Sequence, residues 1–438
     1  MTKFKAKDYL LSIQHLFAMF GATILVPLLT GLNPAVALFT AGFGTLIFHF
    51  VTKLKVPVFL GSSFAFLPAL IAVVKANGTV DPSRVPYAQG GVMFAGIAYM
   101  LFALLTYFLG PDRIKKLFPP VVTGPVIIVI GISLSSTAIK DATGNLDLSN
   151  GITGQAGLNI GIAFFTLLVV IGFTMFAKGF FKIIPILFGI AAGYLLCVIF
   201  SLLGIYKMDF SPIVHAHWIN VPFITKDMNG VSFFSLPKFD LGIILSIAPI
   251  TMVTFIEHIG DITTNGAVVG KDFLKDPGLH RTLLGDGIAT FCAGLLGGPP
   301  STTYAENTGV LASTKNYNPA LLRMTAVFAI ILGLIGKFGA VLQTIPDPVK
   351  GGVEIILFGM IAAIGARTLS DANLDFTHSR NLTIVGLILV FGLGIGGIGG
   401  LKVAIGSVSL SISGLFVAVI IGVLANVILP MEESTEKA

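Results

Sequence analysis

Charged side chains are scarce in this chain: Asp, Glu, Lys and Arg make up 11% of its 438 residues, against roughly 25% in a typical soluble domain. That deficit points to lipid as the solvent and leaves no stretch for a sizeable soluble domain. Cysteine is scarcer still. Cys197 and Cys292 both fall inside apolar runs without metal-ligand spacing, which argues against a disulfide framework or a zinc site and leaves both as small packing residues. A basic patch is also missing. The net charge is +6, but the Lys and Arg are scattered over many short loops, so nucleic acid is not an expected partner and positive-inside bias explains the surplus.

What is abundant is apolar: 55% of the residues, in long runs separated by short polar loops. A span needs about 20 such residues to cross the hydrocarbon. The runs predict an all-α polytopic protein of fourteen spans, at 10–31, 34–52, 57–76, 92–110, 118–138, 158–177, 180–204, 241–262, 283–297, 303–314, 318–345, 350–366, 382–399 and 408–429. Those beginning at 283 and 303 are short for a full crossing. The 51 glycines and 22 prolines are tolerated in spanning helices where neighbours satisfy the freed backbone, so several spans are expected to be broken. Lys3, Lys5 and Lys7 precede the first run, and no small-residue cleavage site is evident, so that span is expected to be retained. The cluster Arg113, Lys115 and Lys116 has no external counterpart, which puts the N-terminus inside. An even span count then puts the Glu-rich C-terminus inside as well, in a cell's inner membrane.

The two halves resemble one another. Ser62-Ser63-Phe64-Ala65 in the third span parallels Thr302-Thr303-Tyr304-Ala305 in the tenth, Gln14-His15 parallels Glu257-His258, and Pro119 to Val126 parallels Pro346 to Val353. Each match lies seven spans from its partner. An odd interval reverses the direction of crossing, so the halves are expected to be inverted repeats of seven spans, as in many secondary transporters. Residues 1–204 form the first, 205–240 an extracellular connection and 241–438 the second. The matched third and tenth spans open on Pro57-Val58-Phe59-Leu60-Gly61 and Gly297-Gly298-Pro299-Pro300, which cannot start a continuous helix. Each is expected to be part short strand and part half-helix, the strands pairing antiparallel because bare backbone is costly in lipid. Ser62, Ser63, Thr302 and Thr303 are the expected caps of half-helices whose N–H groups, near the midplane, suit carbonyl oxygens or anions.

Ionisable residues at membrane depth mark pathways or sites. Glu257, His258 and Asp261 lie in the eighth span, Glu306 just after the break in the tenth, and His15 in the first. Glu257 and Asp261 are four apart on one helix face. Two such carboxylates repel, and a shared proton relieves the repulsion, which is what a proton-coupled switch requires. His15 and His258 read equally well as cross-helix hydrogen-bonding residues, and Phe64 and Tyr304 as core aromatics. Glu354, Asp286 and Lys337 fall near span ends and read as interfacial. No span holds a nucleophile–base grouping or two-histidine metal spacing, so neither an enzyme nor a cofactor is expected. A passive proton or ion channel is the reading from a different functional class.

Glu306-Asn307-Thr308-Gly309, followed four residues on by Thr314-Lys315, resembles the signature of the nucleobase/ascorbate transporter family. Gln14 to Ala22, Gly61 to Phe66, Glu257-His258-x-Gly260, Asp276 to Arg281 and His215-Ala216-His217-Trp218 extend the likeness over nearly the whole chain. Glutamate opening the signature is typical of the uracil branch. The resemblance implies a secondary active transporter importing uracil by proton symport, with a core domain of spans 1–4 and 8–11 moving like an elevator against a gate domain of spans 5–7 and 12–14, in a homodimer. It implies that Glu257 and Glu306 grip the pyrimidine edge, with backbone groups at Phe64 and Ala305. Tyr304 and Phe64 would flank the ring, and Phe358 would press on it from the gate. One position departs from the uracil pattern: Asp261 stands where histidine is expected, as in purine-transporting relatives. It keeps a xanthine or urate symporter as the alternative and makes Asp261, with Glu257, the candidate coupling group.

Overall fold

The protein, a computed structural model, is described for residues 4–430 except 77–78, 111–112, 114–115, 117, 147–150, 153, 227–231 and 406–407. Lys3, Lys115 and the Glu-rich 431–438 tail, which bear on orientation, lie outside the described residues. The chain is mostly helical. Among the described residues nine helices are long and apolar enough to cross a membrane, from Ala6–Thr30 to Ser379–Gly397. Further helices, among them Leu67–Val74, Leu279–Leu296, Ala305–Thr314 and Gly414–Ile428, occupy the remaining apolar runs.

Several boundaries differ from those expected. The Val85–Leu109, Leu279–Leu296 and Asp347–Asp371 helices begin before 92, 283 and 350. Each opens on polar residues, such as Gln89, His280 and Asp347, which lower the local hydropathy without ending the helix. The run expected from 408 begins as a strand. Val408–Ile412 pairs antiparallel with Leu401–Ile405, and the helix starts only at Gly414. The 318–345 run breaks at Ile335, whose extended backbone bridges Ile219 of the 205–240 connection.

The helices pack in two groups. In one, Leu279–Leu296 lies against Val85–Leu109 and Pro34–Val51, and Pro319–Leu334 lies against Pro34–Val51 and Ala6–Thr30. In the other, Asp347–Asp371 lies against Pro120–Ser133, Ser135–Ala142 and Gly154–Phe176, while Ser379–Gly397 joins Gly414–Ile428 and Pro120–Ser133. Glycine sets these distances. A Cβ on Gly96 would come within 2.5 Å of the Phe291 nitrogen, and one on Gly131 within 2.5 Å of the Phe358 carbonyl, so each group is held by backbones in close approach.

Two strands cross where the first group meets itself. Leu60–Ser62 pairs antiparallel with Ser301–Thr303, with Gly61 opposite Thr302. Ser63 N–H donates to the Pro300 carbonyl at 2.9 Å and Tyr304 N–H to the Phe59 carbonyl at 3.0 Å, lengthening the ladder at both ends. A two-stranded sheet still leaves two edges bare, which no membrane interior can satisfy. Each edge is closed by a threonine. Thr45 accepts from Leu60 N–H at 2.9 Å and shares its hydroxyl hydrogen between the Ala41 carbonyl at 2.8 Å and the Leu60 carbonyl at 3.4 Å. Thr290 accepts from Ser301 N–H and donates to the Ser301 carbonyl, both at 3.1 Å. The two threonines sit on the helices just before their strands, so the device is used once in each half.

Candidate functional site

The strands end by turning into half-helices. After Leu60–Ser62 the chain makes a single 3-10 turn, Phe64–Phe66, and then the Leu67–Val74 helix. After Ser301–Thr303 it enters Ala305–Thr314, with Tyr304 as N-cap. The expected hydroxyl caps are absent: neither Ser63 nor Tyr304 caps its helix through a side chain. Two of the four hydroxyls are spent elsewhere. Ser62 donates to the Thr23 carbonyl at 3.0 Å, and Thr303 donates to the Asp261 carboxylate at 2.8 Å. The N-cap side chain therefore meets none of the first N–H groups of the Ala305–Thr314 half-helix; the Glu306 carboxyl turns back on its own N–H, and these groups form the positive end of the helix dipole. Ala305 and Glu306 at that end are exposed, while Asn307 and Thr308 are buried. The site thus opens at the half-helix N-terminus.

Glu257 and Asp261 stand on the Thr251–Val269 helix, both partly buried. Glu257 lies within electrostatic reach of Glu306, and Asp261 within reach of both glutamates. The structure thus brings the three predicted acids together, with the Thr303 contact fixing Asp261 to the strand. Phe64 and Phe358 meet edge to face, with centroids 6.4 Å apart. Phe64 comes from the first packing group and Phe358, 1% exposed, from the second, so this contact bridges the two. Tyr304 lies beside them with its polar end engaged. Its hydroxyl donates to the Ser62 carbonyl at 2.8 Å, and its ring covers Gly61, where any Cβ would collide with it.

The buried histidines are hydrogen-bonded across helices. His258 holds Asp286 at 2.8 Å through Nδ1 and Thr282 at 2.9 Å through Nε2. The His15 carbonyl accepts from the Asn307 amide at 3.0 Å, which fastens the first helix to the half-helix. Asn265, 0% exposed, donates to Thr308 at 3.0 Å and to the Pro57 carbonyl at 3.1 Å. Asn265, Thr45 and Thr290 do not stand out in the sequence: Thr45 and Thr290 are polar residues inside expected spans, and Asn265 falls just past the expected end of the eighth. Two interfacial readings are corrected: Asp286 and Glu354 are each 0% exposed. Their helices start earlier than hydropathy indicates, which moves both residues inward. Lys337 does sit at a half-buried margin, donating to the Ile213 and Val214 carbonyls at 2.5 and 3.0 Å.

A cavity of about 630 Å³ lies between the groups, with Ala65, Arg84, Asp240, Ile250 and Ser413 among its lining. It reaches the residue next to Phe64.

The fold is shared with solved structures of transporters. The transmembrane domain of a cyanobacterial bicarbonate transporter, BicA, superposes with a TM-score of 0.61 at 17% identity, over 96% of this chain and 97% of that one. SLC26A9 superposes at 0.67 and 13% identity, over 97% of this chain and 66% of that one. At such identities the likeness extends to the fold alone. Sequence is more specific. Residues 6–397 match the model of the permease family. The probable uracil permease of Pasteurella multocida is 43% identical over 430 residues, 98% of this chain and 95% of its own. The uracil permease of Bacillus subtilis is 42% identical over 425 residues, 97% and 93%, and that of Escherichia coli K12 is 37% identical over 413, 94% and 89%. The class is therefore a multi-pass membrane transporter, not an enzyme. The chain belongs to the permease family.

Proposed function

We propose that this protein imports uracil with protons, as a secondary active transporter whose two packing groups are the core and gate of an elevator. One observation carries the reading: an uncapped half-helix N-terminus at Ala305 and Glu306, opposite Glu257, beside the edge-to-face pair Phe64 and Phe358. Uracil has two ring N–H donors and two carbonyl acceptors. The carboxylates of Glu257 and Glu306 suit the donors, and the half-helix backbone N–H groups suit the carbonyls. Phe64 closes on the ring from the core, and Phe358 from the gate.

The matched use of Thr45 and Thr290 supports fourteen spans in two inverted repeats. The packing groups support a core of spans 1–4 and 8–11 and a gate of spans 5–7 and 12–14. The uracil permeases among the relatives favour a pyrimidine over the xanthine or urate reading that Asp261 suggests. Asp261, bound to Thr303 and within reach of Glu257, is the coupling group in this mechanism. In the cell the protein works as a homodimer in the inner membrane, with both termini cytoplasmic.

Proteoliposomes holding the purified protein test this directly. Labelled uracil should accumulate against its gradient when the outside is acid, and labelled xanthine should not. Xanthine accumulation would move the substrate to the purines, and equilibration without accumulation would point to a channel.

A further inference from the structure

A second group of acids lies in the gate, apart from Glu257, Asp261 and Glu306. Glu354 is 0% exposed and Asp141 is 4% exposed. Neither oxygen of Glu354 meets a hydrogen-bond donor, yet its carboxyl lies within hydrogen-bonding reach of that of Asp141. Two carboxylates cannot bond to one another, because both are acceptors only. A proton held by one turns the contact into a hydrogen bond.

The surroundings do not supply another solution. Lys350, one turn before Glu354, pairs with Asp347 at 2.5 Å, and its single charge, felt by both Asp141 and Glu354, cannot balance three carboxylates. Asn145 divides its amide between Asp141 and Asp347, each at 3.1 Å. Lys75, from the end of the third span, acts on Asp141 and Asp347. The Pro185–Leu202 side brings Tyr194, whose hydroxyl pairs with Thr344 at 2.8 Å. It also brings Cys197 and, just beyond its end, Tyr206. An ionised carboxylate buried without a partner costs several kcal/mol or neutralises. The backbone holds the pair together: a Cβ on Gly351 would stand 2.5 Å from the Ala142 Cα and 2.7 Å from the Asp141 carbonyl carbon.

We propose that Glu354 and Asp141 form a proton-binding site in the outer half of the gate, loaded from outside and separate from Glu257, Asp261 and Glu306. The location rests on the orientation in the proposed function, which puts residues 141 and 347 at the external ends of their helices. Glu354 is one turn before Phe358 and on the same face. With the proton bound, the Ser135–Ala142 and Asp347–Asp371 helices lie in contact and Phe358 stays against Phe64. Without it, two adjacent charges drive the helices apart and withdraw Phe358 from the substrate.

The full-length protein is tested as wild type, E354Q and D141N. Infrared titration should find a protonated-carboxyl band that both substitutions remove, a readout needing no substrate. In proteoliposomes the wild-type apparent KM for uracil should rise up to about tenfold per unit of external pH above the loading range. E354Q, a permanent mimic of the protonated acid, should flatten that rise while uracil exchange continues at the wild-type rate. If E354Q does not fold, D141N carries the same two measurements. A wild-type band and a wild-type pH profile in the folded variants would overturn the proposal. Absence of uracil uptake by the wild type would sink the proposed function, and the infrared result would still decide this site.

Discussion

Glu257 and Asp261 share a helix face, but their surroundings differ. Asp261 has the Thr303 hydroxyl at 2.8 Å, whereas Glu257 faces the charge of Glu306 across the opening. A substrate N–H is a natural partner for Glu257 and Glu306. Glu257→Gln and Glu306→Gln should therefore each abolish tight uracil binding by calorimetry, while the melting profile of the purified protein persists. Asp261→Asn should leave binding at low pH intact but remove the dependence of uptake on the acid gradient, read as the ratio of uptake with and without it. These acids are legible in the sequence because a charge inside an apolar run is too costly to persist without a role. Glu354 reads as interfacial for a local reason: Asp347 and Lys350 lower the hydropathy of the first turns, so the apolar run starts later than the helix does.

At the scale of elements, the crossing strands depend on Thr45 and Thr290 more than on their own sequences. Each threonine satisfies both backbone groups of one edge residue. Thr45→Val or Thr290→Val, similar in shape without the hydroxyl, should leave those groups unpaired and cost about 1–3 kcal/mol, seen as a lower melting temperature in detergent. The double variant should lose more than either alone. Strand breaks at Pro57 and Gly297 are readable from residues that cannot continue a helix. The absence of hydroxyl caps is not, because Ser62 and Thr303 find partners on helices distant in sequence, and that choice leaves the half-helix N-terminus without a capping side chain from its N-cap residue.

For the whole molecule, pH acts at two depths. On the surface, Lys55 and Asp276 clasp the loop after the second span to the loop before the ninth at 2.5 Å. The Lys55 ammonium holds the exposed Asp276 carboxyl below its usual range. A carboxyl so depressed stabilises the fold above its unfolded value, and that contribution fades only as pH falls through the lower folded value. Between about pH 5 and 8 it adds no pH dependence. Asp276→Asn should thus leave the shape of the uptake-against-pH curve unchanged across that window, assigning any dependence seen there to groups within the membrane.

The sequence by itself determined that the chain lives in lipid, which two spans are interrupted and that Glu257, Asp261 and Glu306 lie at depth, whereas Asp286 and Glu354 and several helix starts escaped it. It also carried the likeness to a transporter family. These are properties of a window no longer than one span, where apolar length and helix-breaking residues act on their own neighbours. Only the tertiary structure decided that Thr303 holds Asp261, that Thr45 and Thr290 close the strand edges, that His258 is spent on Asp286, and that Glu354 lies against Asp141. Partners in lipid are selected by which backbones approach closely, and those approaches are set by glycines and side-chain volumes on helices far apart in the chain.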